Sequence, residues 1–205
     1  MGKNFQTKLE ETENLISTDL TKAKSFIQQL SQTAENDVDF IRVLLLKAKF
    51  FLYEGKPKES AKIFEQIQRR AQKIEDESLN ADIKYQNALT SMYLGKHTKA
   101  LEMVEDALDY YQNNSNENKI AQCYLVYGTI YYSQANYGQS LHHYKLGLNA
   151  THSKKNNSYL RALGNIANIY NAQGKLLKSQ QYSEKALKLA EELGNLRVYA
   201  ILSLN

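Results

Sequence analysis

The chain predicts an all-α fold, a solenoid of helix–turn–helix repeats. Three observations carry that expectation. A pattern recurs every 39–40 residues, apolar residues fall at i, i+3, i+4 and i+7 within it, and turn residues are few. One Pro and nine Gly in 205 residues exclude a sandwich or barrel of many short strands, which needs a turn signal about every 8–12 residues. Apolar residues at 42% and charged residues at 23% are a globular composition, not a disordered one.

Four units start at Ile41, Ala81, Ala121 and Leu160. The eighth position of each is small: Ala48, Ala88, Gly128 and Ala167. So is the twentieth: Ser60, Ala100, Ser140 and Ser179. Between them lies a turn, at Gly55, Gly95, Ala135-Asn136 and Gly174. A small residue on each of two amphipathic helices lets their backbones approach closely, and glycine supplies the turn. Pro57 opens the second helix of the first unit, where a missing N–H costs nothing. The polar stretches 112–118 and 151–158 read as loops between helices.

Residues 1–38 read as a degenerate capping unit. Its second helix keeps the pattern, with Ala23 at the small position and Ile27 and Leu30 inward, while its first is largely polar, as a solenoid end should be. The repeats then occupy 41–80, 81–120, 121–159 and 160–198, and residues 195–205 begin a further, truncated unit. Eleven helices and no strand are expected in this single solenoid.

The register resembles the tetratricopeptide repeat. Gly128 to Tyr131 reads Gly-x-x-Tyr, Tyr170 to Gly174 reads Tyr-x-x-x-Gly, and Ala100 and Ala107 stand seven apart. The resemblance implies a right-handed α-solenoid that binds a protein or peptide segment on its concave face. Leu44, Lys84, Tyr124 and Leu163 stand where the family has Trp, the closing Pro is absent, and the units exceed the usual period of about 34. Longer units of this kind look like those in bacterial signalling proteins, beside a histidine kinase, a cyclic-dinucleotide synthase or a helix-turn-helix output. A sensory or regulatory module is the function this implies.

Nothing in the sequence organises catalysis, a metal or a cofactor. His97, His142, His143 and His152 form no H-x-x-x-H or H-E-x-x-H pair, and no phosphate-binding loop is present. Cys123 stands alone, so no disulfide forms within the chain, and it reads as a small apolar filler. No apolar run approaches the roughly 20 residues of a membrane helix, and the N-terminus has no apolar core of a secretory signal. Gly2 does not satisfy the myristoylation pattern, because Gln6 stands where Ser or Thr is required. A soluble, cytoplasmic chain is expected.

In the family, the first helix of each unit lines the concave face. Carried across residue by residue, the resemblance gives Arg42, Lys49 and Tyr53; Tyr85, Gln86 and Tyr93; Gln122, Thr129 and Tyr132; and Arg161, Asn165, Asn168 and Asn171. The set has a physical logic. Asn and Gln amides pair with the backbone of an extended peptide whatever its sequence. Tyr adds apolar area with a polar tip, and Arg and Lys favour carboxylates. Three Asn at three-residue spacing on one helix are unusual, since Asn is a mediocre helix former.

Two other readings stand beside the groove. One is an oligomerisation scaffold: Leu196, Tyr199, Ile201, Leu202 and Leu204 would form an unpaired apolar face on the last helix, self-associating or fraying. The other is a regulator acting on nucleic acid through residues 41–75. There Arg42, Lys47, Lys49, Lys56, Lys58, Lys62, Arg69, Arg70 and Lys73 outnumber Glu54, Glu59, Glu65 and Glu75. A solvated outer surface explains that excess as well.

Overall fold

The computed structural model describes residues 2–72 and 74–195. Among these there are ten helices and no strand: α1 (Gly2–Thr18), α2 (Leu20–Thr33), α3 (Asp37–Tyr53), α4 (Pro57–Ala71), α5 (Glu77–Tyr93), α6 (His97–Asn113), α7 (Glu117–Ser133), α8 (Tyr137–Asn149), α9 (Asn157–Ala172) and α10 (Leu176–Glu192). The fold class is the expected one, all-α with helix–turn–helix repeats. The eleventh helix, and with it Leu196, Tyr199, Ile201, Leu202 and Leu204, lies outside the described residues.

The first helix of each repeat starts three or four residues before the apolar pattern does, and its cap is the reason. Asn36, Asp76, Asn116 and Asn156 precede α3, α5, α7 and α9, and each side-chain oxygen accepts the N–H three residues on, from Asp39, Leu79, Lys119 and Tyr159. Such caps satisfy a donor that the helix start leaves orphaned. The polar connectors 112–118 and 151–158 are therefore shorter as loops than composition suggests: their last residues are already helical.

The turn inside each repeat has one geometry. Gly55, Gly95 and Gly174 adopt φ of +73°, +72° and +69°. The following amide reaches back to the carbonyl five residues earlier, as in Lys56 to Phe51, Lys96 to Ser91 and Lys175 to Tyr170. This is the Schellman closure. The third repeat makes the same closure, Asn136 to Tyr131. Yet it holds Ala135 at φ +56° where the others hold glycine.

The chain forms two compact units, Met1–Met103 and Val104–Asn205. In the first, Leu9 and Ile16 of α1 join Ala23, Ile27 and Leu30 of α2 against Val43, Leu46 and Phe50 of α3. The capping pair is thus fully packed through a thin apolar stripe. On its other side, α3 presents Ile41 and Ala48 to Ile63, Phe64 and Ile67 of α4 and Leu79 of α5. In the second unit, Leu125, Tyr144, Ala162, Ile166, Ile169 and Tyr170 bind α7, α8 and α9. Leu160 and Leu163 then meet Ala186, Leu189 and Ala190 of α10.

The small positions are where helices touch. Ala48 and Ala88 are fully buried, as are Ser60, Ala100 and Ser140. The serines do more than stay small. Ser140 Oγ donates to Gly128 O at 2.7 Å, and Ser179 Oγ to Ala167 O at 3.0 Å. The hydroxyl at the twentieth position thus bonds the carbonyl at the eighth, across the helix pair. Ser60 instead meets Thr90 Oγ1 at 2.8 Å. Gly128 has no room for a methyl group: a Cβ there would overlap the Tyr144 ring, with Cγ 2.9 Å away. Tyr144 cannot swing clear, being fully buried, and its hydroxyl bonds Thr129 Oγ1 at 3.0 Å.

Two stability changes are expected. Gly128→Ala lowers stability by about 1–3 kcal/mol, because overpacking outweighs the ~1 kcal/mol that alanine adds to a helix. Gly138→Ala, on the open first turn of α8, is the matched control and raises the melting temperature. Ala135→Gly relieves the left-handed backbone and adds about 0.5–1 kcal/mol, after allowing for the entropy glycine gives the unfolded chain. Urea titrations of the three variants decide both.

Candidate functional site

Of the sequence-derived groove residues in the first unit, most are engaged internally. Lys49 Nζ pairs with Glu13 of α1 at 2.8 Å, and Arg42 donates to Gln6 Oε1 at 3.4 Å. Tyr53 packs against the α1–α3 core. Tyr85 and Gln86 are buried, 8% and 7% exposed. The Gln86 carboxamide nitrogen has no hydrogen-bond partner within the protein. Only Tyr93, 57% exposed, stands well into solvent.

The second unit differs. Its α7 and α9 lie side by side, which for packed helices means axes about 8–10 Å apart. On α9, Arg161, Asn165, Asn168 and Asn171 form one stripe, since steps of three and four residues return to the same face of a 3.6-residue helix. Arg161, Asn168 and Asn171 are exposed and Asn165 half-buried. The three asparagine side chains make no hydrogen bond among the described residues. Their amides face water with donor and acceptor uncommitted. On α7, Gln122 is half-buried and Tyr132 exposed, its ring 5.7 Å from that of Tyr137. Thr129 is committed inward: it donates to Leu125 O at 2.8 Å and bonds the Tyr144 hydroxyl. Burial pushes that phenol up to about 12, while Thr129 and Arg161 pull the other way.

One edge of this unit carries a polar clasp that the residue pattern did not announce beyond the polarity of its loops. Glu117, at the start of α7, accepts the His152 backbone N–H at 3.0 Å and meets the His152 ring at Nδ1. Ser158 donates to Asn118 at 3.1 Å, Lys155 pairs with Glu192 at 3.1 Å, and Asn195 donates to Asn157 at 2.8 Å. Asn156 closes the loop on itself through Thr151 Oγ1 and Ser153 O. Residues about one repeat apart are thereby stitched together. The His152 N–H holds the Glu117 carboxyl below the usual carboxylate range, with the His152 ring contributing next.

Part of the basic excess in residues 41–75 meets carboxylates from outside that stretch, Arg70 with Asp37 and Lys49 with Glu13, while other pairs lie within it. Arg70 pairs with Asp37 at 2.6 Å and lies over the Phe40 ring, Lys62 pairs with Glu59, and Lys56 with Glu54. Among the described residues no cluster of three His, Cys, Asp or Glu side chains is arranged to hold a metal ion. Cys123 is buried. No described helix is long and apolar enough to cross a membrane.

Among the described residues, ten helices in pairs, with repeats capped by Asn or Asp and turned through a left-handed residue, define a tetratricopeptide-like helical-repeat fold. Solved structures share this fold at low sequence identity. A signal-transduction ATPase with numerous domains, carrying a tetratricopeptide-repeat sensor, from Pyrococcus horikoshii superposes with a TM-score of 0.71 at 16% identity, covering 98% of this chain and 32% of that one. NprR in complex with its cognate peptide NprX gives 0.66 at 18%, covering 100% and 62%. A Rap protein complexed with Competence and Sporulation Factor gives 0.63 at 15%, covering 94% and 67%. No family model matches the chain, and no curated protein does.

The clasp has a pH dependence. Glu117 has a lowered pKa in the folded chain, so its contribution is fully present above its ordinary value of 4.5 and is lost as pH falls through the folded value. The protection of the His152 amide against hydrogen exchange, taken relative to an unstructured amide at the same pH, is expected to be present at pH 6, to vanish at the acid end, and to be absent throughout in Glu117→Ala. Equal protection in parent and variant at pH 6 refutes the clasp.

Proposed function

We propose that this chain is a non-catalytic binding module that takes an extended peptide or protein segment along the α7–α9 face. The observation that carries the reading is the Arg161–Asn165–Asn168–Asn171 stripe, solvated and with three uncommitted amides, beside Gln122 and Tyr132 of α7. Amides satisfy a peptide backbone in either sense, which favours a ligand recognised partly irrespective of sequence. Arg161 adds a preference for a carboxylate, from an acidic side chain or a chain terminus. Tyr132 supplies apolar area at low entropic cost. Tyr93, with Arg42, Lys49 and Tyr53, makes a lesser candidate surface in the first unit.

The likeness to NprR bound to NprX, and to the repeat sensor of a signal-transduction ATPase, supports a sensory or regulatory role; its setting in a cytoplasmic bacterial signalling protein rests on the length of the repeat units. The pairing of Lys49 with Glu13 and of Arg70 with Asp37, both outside residues 41–75, lowers the basic excess there and argues against nucleic acid as the partner. Self-association through residues 196–205 remains a separate proposal, read from the sequence.

The test is a peptide binder selected from a random library, titrated against the parent and against Asn165→Ala, Asn168→Ala, Asn171→Ala combined. Each deletion removes a net hydrogen bond worth about 0.5–1.5 kcal/mol, so the triple variant is expected to bind roughly tenfold or more weakly. Arg161→Ala should shift the selected sequences away from acidic residues. Undiminished binding by the triple variant places the site elsewhere. Steeply salt-dependent binding of DNA or RNA by the parent would favour nucleic acid instead.

A further inference from the structure

His142 and His143 are adjacent on α8 and have quite different surroundings. His142 is exposed. His143 turns against α7, its ring nearly parallel to Tyr127, with centroids 4.9 Å apart and planes at 15°, and to Tyr131, at 5.3 Å and 12°. Tyr124 lies 6.2 Å away and tilted, and His142 meets the ring edge-on at 5.3 Å. Tyr124, Tyr127 and Tyr131 follow one another at three- and four-residue steps, so they form a single stripe of rings on α7. His143 is the side chain with which α8 closes on that stripe.

The Nδ1 atom of His143 is buried and has no hydrogen-bond partner. For a neutral imidazole with its proton on Nε2, Nδ1 carries only a lone pair, and leaving it unpaired is tolerable. A protonated ring carries N–H on both nitrogens. The one at Nδ1 would then be a charged donor sealed against tyrosine rings with no acceptor, the costly kind of unpaired group.

Other groups weigh on the balance from each side. On α7, the tyrosine faces attract a cation. On α6, Glu105 and Asp109 act on the Tyr127 hydroxyl, and Cys123 of α7 does so too; the two carboxylates also favour a cation nearby. On α8, the like neighbour His142 disfavours it. Burial is the largest influence and holds His143 below the ordinary histidine range, with His142 adding to it. Burial also raises the Tyr127 hydroxyl, so that phenol stays protonated and offers no counter-charge.

We propose that His143 is a proton-operated latch between α7 and α8, seated in the tyrosine stripe while neutral and driven out of it when mild acid protonates the ring. The helix pair stays joined on its other side, through Tyr144 against Gly128 and the Ser140 bond to the Gly128 carbonyl. Acid therefore loosens one face of the third repeat rather than unfolding it outright. The sense of the linkage follows from the lowered folded value. The latch contributes fully above the ordinary histidine value of 6.5, and its contribution falls as pH drops from there to the folded value, then stays flat. The proposal is independent of what the α9 stripe binds.

The test is a proton NMR titration of the histidine ring resonances of the full chain between pH 8 and 5, beside thermal melts over the same range. The His143 resonance is the one retained in each of His97→Gln, His142→Gln and His152→Gln, so its assignment does not require altering His143. It should titrate below 6.5, and the Tyr127 and Tyr131 ring resonances should move at the same midpoint. The melting temperature of the parent should drop over this interval more than that of His143→Phe, which keeps a planar ring and cannot titrate. A His143 midpoint at or above 6.5, or tyrosine resonances indifferent to it, overturns the latch even where the Phe variant does not fold. An equal drop in a folded Phe variant overturns it as well.

Discussion

The structure depends on how closely the two helices of a repeat approach. In the third repeat the contact is between a backbone and a ring: Tyr144 lies where any side chain at residue 128 would be. The Ser140 hydroxyl then bonds the Gly128 carbonyl, and Ser179 does the same for Ala167 in the next repeat. A carbonyl already bonded within its helix keeps a second lone pair, so a cross-helix donor adds a tie without breaking the ladder. The bond satisfies a hydroxyl that burial would otherwise leave unpaired. Close approach also brings the outer surfaces together, and that lets His143 reach the stripe of tyrosines on α7.

Caps and turns set the phase that this contact requires. An Asx cap starts the first helix of each repeat, and a left-handed residue with a Schellman closure ends it. With both ends fixed, the rotation of each helix is fixed too. The Ile166–Ile169 side of α9 then turns to the core while Asn168 and Asn171 face water. The polar residues at the loop edge act in the same sense. Glu117 with His152, and Ser158 with Asn118, join segments far apart in sequence without adding apolar area.

This architecture suits recognition better than chemistry. Among the described residues, the groups that burial holds away from their ordinary values, Tyr127, His143 and Tyr144, sit in packing contacts. Burial is the leading cause in all three. A general acid or base needs a perturbed group within reach of a substrate, whereas a binding face needs uncommitted polar groups on a rigid support. The α9 asparagines are exposed or half-buried polar side chains on a packed helix. The contrast with the first unit is instructive: there the cations expected to meet a ligand are held by Glu13 and Gln6 of α1.

The sequence by itself determined the helical-repeat fold, the repeat length and the contact positions. All of these follow from local and periodic constraints: small residues at a fixed register, apolar spacing and turn-forming residues. The residues Asn36, Asp76, Asn116 and Asn156 recur every 40 positions, but the structure was needed to show them as caps, since composition reads the stretches holding Asn116 and Asn156 as loop. Only the tertiary structure decided which polar side chains remain available. Gln86 and Asn165 both stand sixth in their repeats, yet Gln86 is buried while Asn165 is half-buried and keeps contact with water. His143, three residues after Ser140 and four before Gly147, falls on the inward side of α8 by periodicity, and His142 does not. Their difference is about 100° of rotation around one helix, and which side meets the tyrosines is settled by the packing of α8 on α7. Periodicity reports the face a residue occupies. Exposure depends on what packs against that face, and those partners are residues a whole repeat or more away in sequence.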